Sequence, residues 1–513
     1  MLTRRDALKK GALAAALLGS GGLMAQAPRT PLQIVGPWEI GGLAPTNSGF
    51  VFTRLQVTET LLNAQDDGTP LPGLAERWNR SADGLSWRFT LRPSARFHDG
   101  SPVTAAAAVR CLEAARVAPA LLSLAPIRLI ETEGASTIVI RLREPNASLP
   151  AMLAHSSTMV IAPASYGADG SVRSIIGSGP YRITQLTPPQ LVECAVFDGY
   201  DGPKPAIDRV RYLAAGRAET RALMAESGQA DLAFGLDPAS LVRLRGKRNL
   251  TIASITLPRS VILKVNAGLP ALTDVRVRQA LSHAIDRGGI AKALLRDPEL
   301  AATQLFAPSL KAWHNTALPA LSFDVARANT LLAEAGWKRA ADGLRDAKGQ
   351  SFALKLRTFP DRPELPIIAT ALQAQWRDIG INVQVSVGNS GDIPLGHRDG
   401  SLQLGLAARN YGNVPDPTGT LLQDFGPGGG DFGAMGWSSE PLGRALSELK
   451  RGDVSAEKLA ANRLEIARIL QAELPVIPIA WYRQQVALSS RISGVSLDPL
   501  ERSYRLTQMS WRG

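Results

Sequence analysis

Apolar and polar positions follow two periods along this chain. Trp87-Arg88-Phe89-Thr90-Leu91 places an apolar residue at every second position, and 137–142 and 210–212 read the same way. This is the period of a strand with one buried face. Elsewhere the apolar residues recur at three and four. Asp274 precedes Val277, Ala280, Leu281, Ala284 and Ile285, a helical stripe with a capping residue in front. Asp324 precedes a second stripe of Ala328, Leu331, Leu332 and Ala335, and Gly336 is placed to stop it. Over 366–387 the period changes within one unit. Ile368, Ala371, Leu372, Gln375 and Ile379 lie on or near one helical face, Gly380 ends it, and Ile381, Val383, Val385 and Val387 then alternate. A helix that runs straight into a strand predicts an α/β arrangement. The sequence has no internal repeat.

Composition narrows the class. The chain has 513 residues, 45% hydrophobic and 20% charged. At roughly 100–200 residues per domain this predicts two to four domains. Disordered, collagen-like and disulfide-scaffold proteins are excluded. Lys and Arg number 57 against 45 Asp and Glu, a net +12. A basic balance raises nucleic acid and membrane surfaces as partners, but the charge is spread out. The densest internal run, Arg243-Leu244-Arg245-Gly246-Lys247-Arg248, reads as a solvated face. The two cysteines, Cys111 and Cys194, leave pairing open.

Residues 1–27 read as an address. Arg4, Arg5, Lys9 and Lys10 precede an apolar segment from about Gly11 to Met24, and Ala25-Gln26-Ala27 has the small-x-small form of a cleavage site. The apolar segment is too short for a helix across a bilayer of about 30 Å, so a secretory signal peptide is expected. Arg4-Arg5 predicts twin-arginine export, and hence a periplasmic location. Pro28 disfavours cleavage immediately after Ala27. No later stretch reaches 18 apolar residues, and a soluble mature protein is expected.

The search for chemistry finds little. There is no phosphate-binding G-x-x-x-x-G-K-[ST] loop, no H-E-x-x-H or C-x-x-C, and no G-x-S-x-G elbow. Gly177-Ser178-Gly179-Pro180-Tyr181 is glycine-rich, but Pro180 removes a donor that a phosphate cradle needs. It reads as the turn entering a strand. His98, His155, His283, His314 and His397 form no pair at helical spacing, and His98 and His283 read as structural. An exported chain of this size without a catalytic constellation points to binding rather than chemistry. No cofactor is expected. An exported hydrolase with a triad assembled from distant residues is the competing class, and a nucleic-acid binder is disfavoured by export.

A series of motifs, in order, resembles one family. Glu59-Thr60-Leu61-Leu62, Leu74-Ala75-Glu76-Arg77-Trp78, 83–92 and Phe97-His98-Asp99-Gly100 open it. Gly177–Tyr181, Asp198–Asp208, Asn266, 274–280, 284–287, Phe306-Ala307-Pro308, 331–337 and Pro475–Pro478 continue it. Together they resemble the bacterial extracellular solute-binding proteins of family 5, the peptide- and nickel-binding components of ABC importers. The resemblance implies a two-lobe α/β periplasmic-binding-protein fold of type II, with an extra subdomain in the first lobe. By analogy the first lobe takes 28–265, including 58–177 as the extra subdomain, the second lobe takes 266–478, and 479–513 returns to the first lobe. The implied partners are a small solute, peptide-like or a metal chelate, and the permease subunits of an ABC transporter, with the receptor a monomer. Ala106-Ala107-Ala108 departs from the family's acidic pair, a change a helix tolerates.

Site residues also come by resemblance. The family's peptide binders hold the peptide amino group with an acid before an acidic-Pro pair, and here Arg409-Asn410-Tyr411-Gly412-Asn413 puts Asn413 at that position. An asparagine supplies no charge, so a ligand without a free ammonium is expected there. The arginine with which nickel-type members hold a carboxylate-rich chelator is replaced by Ser156, beside His155. Ile40, Gly41, Asn47, Ser48 and Gly49 lie where the first-lobe ligand loops begin, and Asn410 and Tyr411 complete the candidate set.

Overall fold

A computed structural model describes residues 30–118, 121–360, 362–412, 414 and 416–512. The expected signal peptide and Asn413 lie outside the described residues.

A ten-stranded mixed sheet runs through the molecule in the order Asn382–Val387, Ala353–Thr358, Leu404–Asn410, Leu250–Val265, Val476–Ser489, Leu232–Ala233, Leu32–Gly36, Arg209–Ala214, Leu191–Val196, Tyr181–Thr187. Its two central strands are the longest, and they are antiparallel from Leu250 opposite Ser489 to Lys264 opposite Val476. The register slips between Leu257 and Ser260 and again between Val261 and Ile262. Pro258, which has no N–H to give a ladder, sits in the first slip. Such bulges bend a strand and re-aim its side chains.

The hydrophobic cores fall on either side of these slips. One core gathers residues from Leu32 to Phe234 and resumes at Val486 through Met509. Two others draw on residues between Val261 and Ala480. The molecule is therefore two lobes joined through one pair of strands. The first lobe carries a separate four-stranded sheet, Ala75–Arg80, Ser86–Leu91, Thr137–Leu142 and Ile127–Glu133 in spatial order, covered by the helix Ala105–Val117.

Local sequence explains these elements. Trp87, Phe89 and Leu91 are buried on one face of their strand, and the turn into it puts Gly84 at positive φ. The Thr104 side chain caps Ala105–Val117 through the Ala107 N–H. Asp274 and Asp324 cap Val275–His283 and Val325–Glu334. The helix Glu364–Asp378 passes through Gly380 into Asn382–Val387. That strand is at the sheet's edge: Val383 is buried, but Val387 is half exposed.

Several family motifs turn out to be architectural. Arg92 bridges Glu59 and Asp201, with its Nε 2.8 Å from the Asp201 carboxylate, and the Ser178 hydroxyl donates to Glu59 at 2.8 Å. Motifs more than a hundred residues apart are thereby tied together inside the first lobe. Gly177 and Gly179 press on the backbone of Gln56 and Val57, where a Cβ would come within 2.0 and 2.1 Å of a carbonyl oxygen. The turn reading of this segment holds, with Tyr181 opening the strand. Arg276 pairs with Asp274 on the surface. Arg278, two residues on in the same helix, is buried. It donates to the carbonyls of Leu272, Thr273 and Glu473, which the end of the helix Ala456–Glu473 brings to it. Cys111 and Cys194 are both free and buried.

Candidate functional site

A cavity of ≈ 520 Å³ lies where the two lobes meet the paired strands. The first lobe contributes Trp38 and Arg221, the second Phe359, Arg362, Glu364, Arg409 and Asn410, and the strands themselves Arg259, Trp481, Tyr482 and Arg483. Glu501, from the C-terminal segment, closes one wall. The size falls in the range that encloses small organic solutes, about 300–1,000 Å³.

Five arginines line the cavity, and they differ in what answers their charge. Arg483 pairs with Asp297 at 2.7 Å and Glu299 at 2.8 Å. Both arms of Arg409 reach Asp424 at 2.7 Å. Arg221 is spent on the carbonyls of Ala215, Gly216, Phe234 and Gly235. Arg259 pairs with Glu501. Arg362 donates to the Tyr482 hydroxyl at 3.1 Å and lies 5.1 Å from the centre of that ring. Among the described residues, no carboxylate forms an ion pair with Arg362. Glu364 and Glu501 lie near enough to favour its charge, but among the described residues its one hydrogen bond goes to a phenol, which leaves the other guanidinium donors as a docking point for an anion.

Two buried carboxylates in this cluster behave oppositely. Burial opposes the charge of Glu501, but Arg259, Arg54 and Arg362 outweigh it and hold its carboxyl below the ordinary value. Its Oε2 accepts from Arg259 and from Asn410 Nδ2 at 3.2 Å. Burial also acts on Glu364 and there it prevails, raising the carboxyl above its ordinary value despite Arg362 and Arg259. Its Oε1 is buried without a hydrogen-bond partner.

The residues expected from sequence are brought together in two groups. Ile40, Gly41, Asn47, Ser48 and Gly49 form the loop and first turns of the helix Pro45–Arg54, whose Gly49 packs on the Ser156 carbonyl so closely that a Cβ would lie 2.6 Å from it. Ile40 is buried and its N–H donates to Pro189. The Ser48 hydroxyl is buried without a partner. His155 accepts at Nδ1 from the Ser157 N–H, caps the short turn Ser156–Thr158, and is pushed down to about 4 by burial. This group belongs to the first lobe and does not line the cavity. In the second group, Asn410 lines the cavity. Tyr411 is fully buried on the other side of the same strand's end, edge-on to Phe306 at 5.6 Å between ring centres, and burial raises its hydroxyl well above the ordinary value.

Sequence reasoning missed Arg259, Arg362, Tyr482 and Glu501. They lie far apart along the chain and form no local motif. Pro258-Arg259 inside an apolar strand was the available signal, since a charged residue beside a proline in such a run marks a bulge.

Among the described residues no three His, Cys, Asp or Glu side chains converge as a metal-binding group, and no helix is long and apolar enough to cross a membrane.

Comparison with known proteins places these features. The sequence model described as "Bacterial extracellular solute-binding proteins, family 5 Middle" matches residues 69–432. The Nickel-binding periplasmic protein of Escherichia coli (strain K12) is 26% identical over 482 residues, covering 90% of this chain and 91% of that one. The Dipeptide-binding protein of the same organism is 22% identical over 474 residues, covering 85% of each. The crystal structure of NikA from Brucella suis in complex with Fe(III)-EDTA superposes with a TM-score of 0.84 at 24% identity, over 94% of this chain and all of the other. DppA from Helicobacter pylori in complex with the peptide STSA superposes with a TM-score of 0.77 at 19% identity, over 94% and 98%. These structures share the two-lobe type II periplasmic-binding-protein fold.

Proposed function

The chain belongs to the bacterial extracellular solute-binding proteins of family 5, and from that premise we propose that its solute sits in the cavity between the lobes, anchored by a carboxylate on Arg362. The observation that carries this reading is the guanidinium of Arg362, which lines the cavity and, among the described residues, is hydrogen-bonded to a phenol and ion-paired with no carboxylate. Asn410, at the same wall, and the aromatic faces of Trp38, Phe359, Trp481 and Tyr482 suit a compact organic solute with polar and apolar parts. A peptide-like compound lacking a free amine and a metal chelate with carboxylate arms both answer this description. The relatives named for nickel and for dipeptides support the two forms alike.

The proposed lobes are 28–265 with 479–513, and 266–478. The separate cores support that division to within the length of the paired strands. Closure about these strands excludes water and strengthens each polar contact inside. It also gives a permease a shape to distinguish. On this reading the protein is a monomeric periplasmic receptor, exported by the twin-arginine route, that delivers its solute to an ABC permease and performs no chemistry on it. Changing Arg4 and Arg5 together to Lys is expected to strand the precursor in the cytoplasm, and normal export of that variant would refute the route.

Mass spectrometry of the small molecules released on denaturing the natively exported protein tests the solute reading. A compound bearing a carboxylate and no free amine is expected, and the Arg362→Gln protein should release none. Recovery of ordinary dipeptides, or an undiminished yield from Arg362→Gln, would refute it.

A further inference from the structure

Glu501 occupies an unfavourable place for an acid. Its backbone lies at φ 55, in the left-handed region where any side chain carries a cost and glycine carries none. The turn itself does not need a carboxylate at this position. The Glu501 N–H bonds to the Asp498 carbonyl, and the Asp498 side chain takes the N–H groups of Arg502 and Ser503. What the acid adds is a buried carboxylate pointing back into the joint between the lobes. There it meets Arg259 and Asn410 on Oε2, and Gln484 at 3.4 Å and Arg54 at 3.8 Å on Oε1. Arg259 thereby has its charge answered from within the protein, although its Nε is left without a hydrogen-bond partner, while Arg362, in the same cavity and near Glu364, forms no ion pair with any described residue.

We infer that Glu501 is a specificity-determining residue of the cleft: by occupying Arg259 it leaves one guanidinium open to the solute, so that the site selects compounds with one docking carboxylate over those with two. The inference rests on the reading of the interlobe cavity as the solute site. Without Glu501, Arg259 and Arg362 would offer two guanidiniums, a match for a dicarboxylate. With it, a second solute carboxylate meets a carboxylate instead, and repulsion adds to the lack of a partner.

The test is calorimetric titration with two probes that both lack an ammonium: N-acetyl-glycylglycine with one carboxylate, and N-acetyl-aspartyl-glycine with two. The wild type is expected to prefer the monocarboxylate by about tenfold or more, the scale of one charged hydrogen bond. Glu501→Gln keeps the shape of the side chain, and Glu501→Gly suits the backbone and guards against loss of folding. In both, the preference should fall by about tenfold or invert. A purely structural role would weaken both probes alike and leave their ratio intact. If that ratio is unchanged while Arg362→Gln abolishes binding, the cavity reading stands and the role of Glu501 is refuted. If the wild type binds neither probe, or Arg362→Gln changes nothing, the cavity reading fails and this inference falls with it.

Discussion

Two contacts between the lobes, compared among the described residues, have opposite character. At the joint, Arg259 and Glu501 form an ion pair with side chains 8% and 6% exposed, held by Asn410 and flanked by Arg54 and Arg362. At the far seam the helix Glu440–Arg451 meets the extra subdomain of the first lobe. Lys450 pairs with Glu144, whose side chain is 56% exposed, Arg80 donates to the Arg451 carbonyl at 2.9 Å, and the Ser148 hydroxyl donates to Asp416 at 2.8 Å. The buried pair costs desolvation and cannot lose one partner cheaply. At the seam the Lys450–Glu144 pair is partly exposed and contributes little. On the closure proposed above, the joint keeps its charge pair and the seam is the contact expected to open.

Removing one half of the buried pair should have the largest effect. Arg259→Ala leaves Glu501 buried without its main counter-charge, and we expect a loss of about 3–5 kcal/mol in denaturant unfolding. A loss under about 1 kcal/mol would show that water reaches the joint freely. Arg362→Gln sharpens the contrast inside the cavity itself. It should cost binding of N-acetyl-glycylglycine at least about tenfold, the weight of one charged hydrogen bond, and lower the melting temperature less than Arg259→Ala does, since Arg259 is the first counter-charge of Glu501. A large fall in melting temperature would make Arg362 part of the architecture instead.

The two buried carboxylates separate by pH. Glu501 has a native value below its unfolded one, so its stabilisation is complete above the unfolded value, near 4.5, and is lost as pH falls through the lowered native value. Glu364 has a native value above the unfolded one, so its contribution is present below about 4.5 and is lost as pH rises through the raised value. Glu501→Gln should therefore destabilise at pH 7. Glu364→Gln should stabilise there by about 1 kcal/mol, because an orphaned buried acceptor no longer has to carry charge. Thermal melts of both variants across pH 3–8 check the signs, and a Glu364→Gln protein less stable at pH 7 than the wild type would overturn the assignment.

The smallest effect belongs to the seam. Lys450→Ala should cost under about 1 kcal/mol, and less at high salt. In small-angle scattering the unliganded variant should have a slightly larger radius of gyration. A loss as large as that from Arg259→Ala would erase the distinction between joint and seam.

The fold was legible because its signals are local. Caps at Asp274 and Asp324, the alternation around Phe89, and the passage from Glu364–Asp378 through Gly380 into a strand are each settled within about twenty residues. The motifs at Glu59, Ser178 and Asp201 were visible as well, but their role as one ion network around Arg92 was not, since sequence order says nothing about convergence. The candidate site was less legible. Asn410, one of the residues expected from sequence, lines the cavity, whereas Tyr411, adjacent to it, turns into the core because successive residues of an extended segment face opposite sides.

By itself the sequence determined the class, the order of elements and the family, all of which depend on short-range pattern and on motif order. Only the tertiary structure decided which charges share the joint. Arg259, Arg362, Tyr482 and Glu501 come from separate stretches of chain; Arg259 lies in the first register slip of the long strands, and the fold sets the other three beside it in one cavity. Whether an arginine there is free to meet a solute depends on which carboxylate the fold sets beside it, and that is a property of packing, which no local pattern encodes.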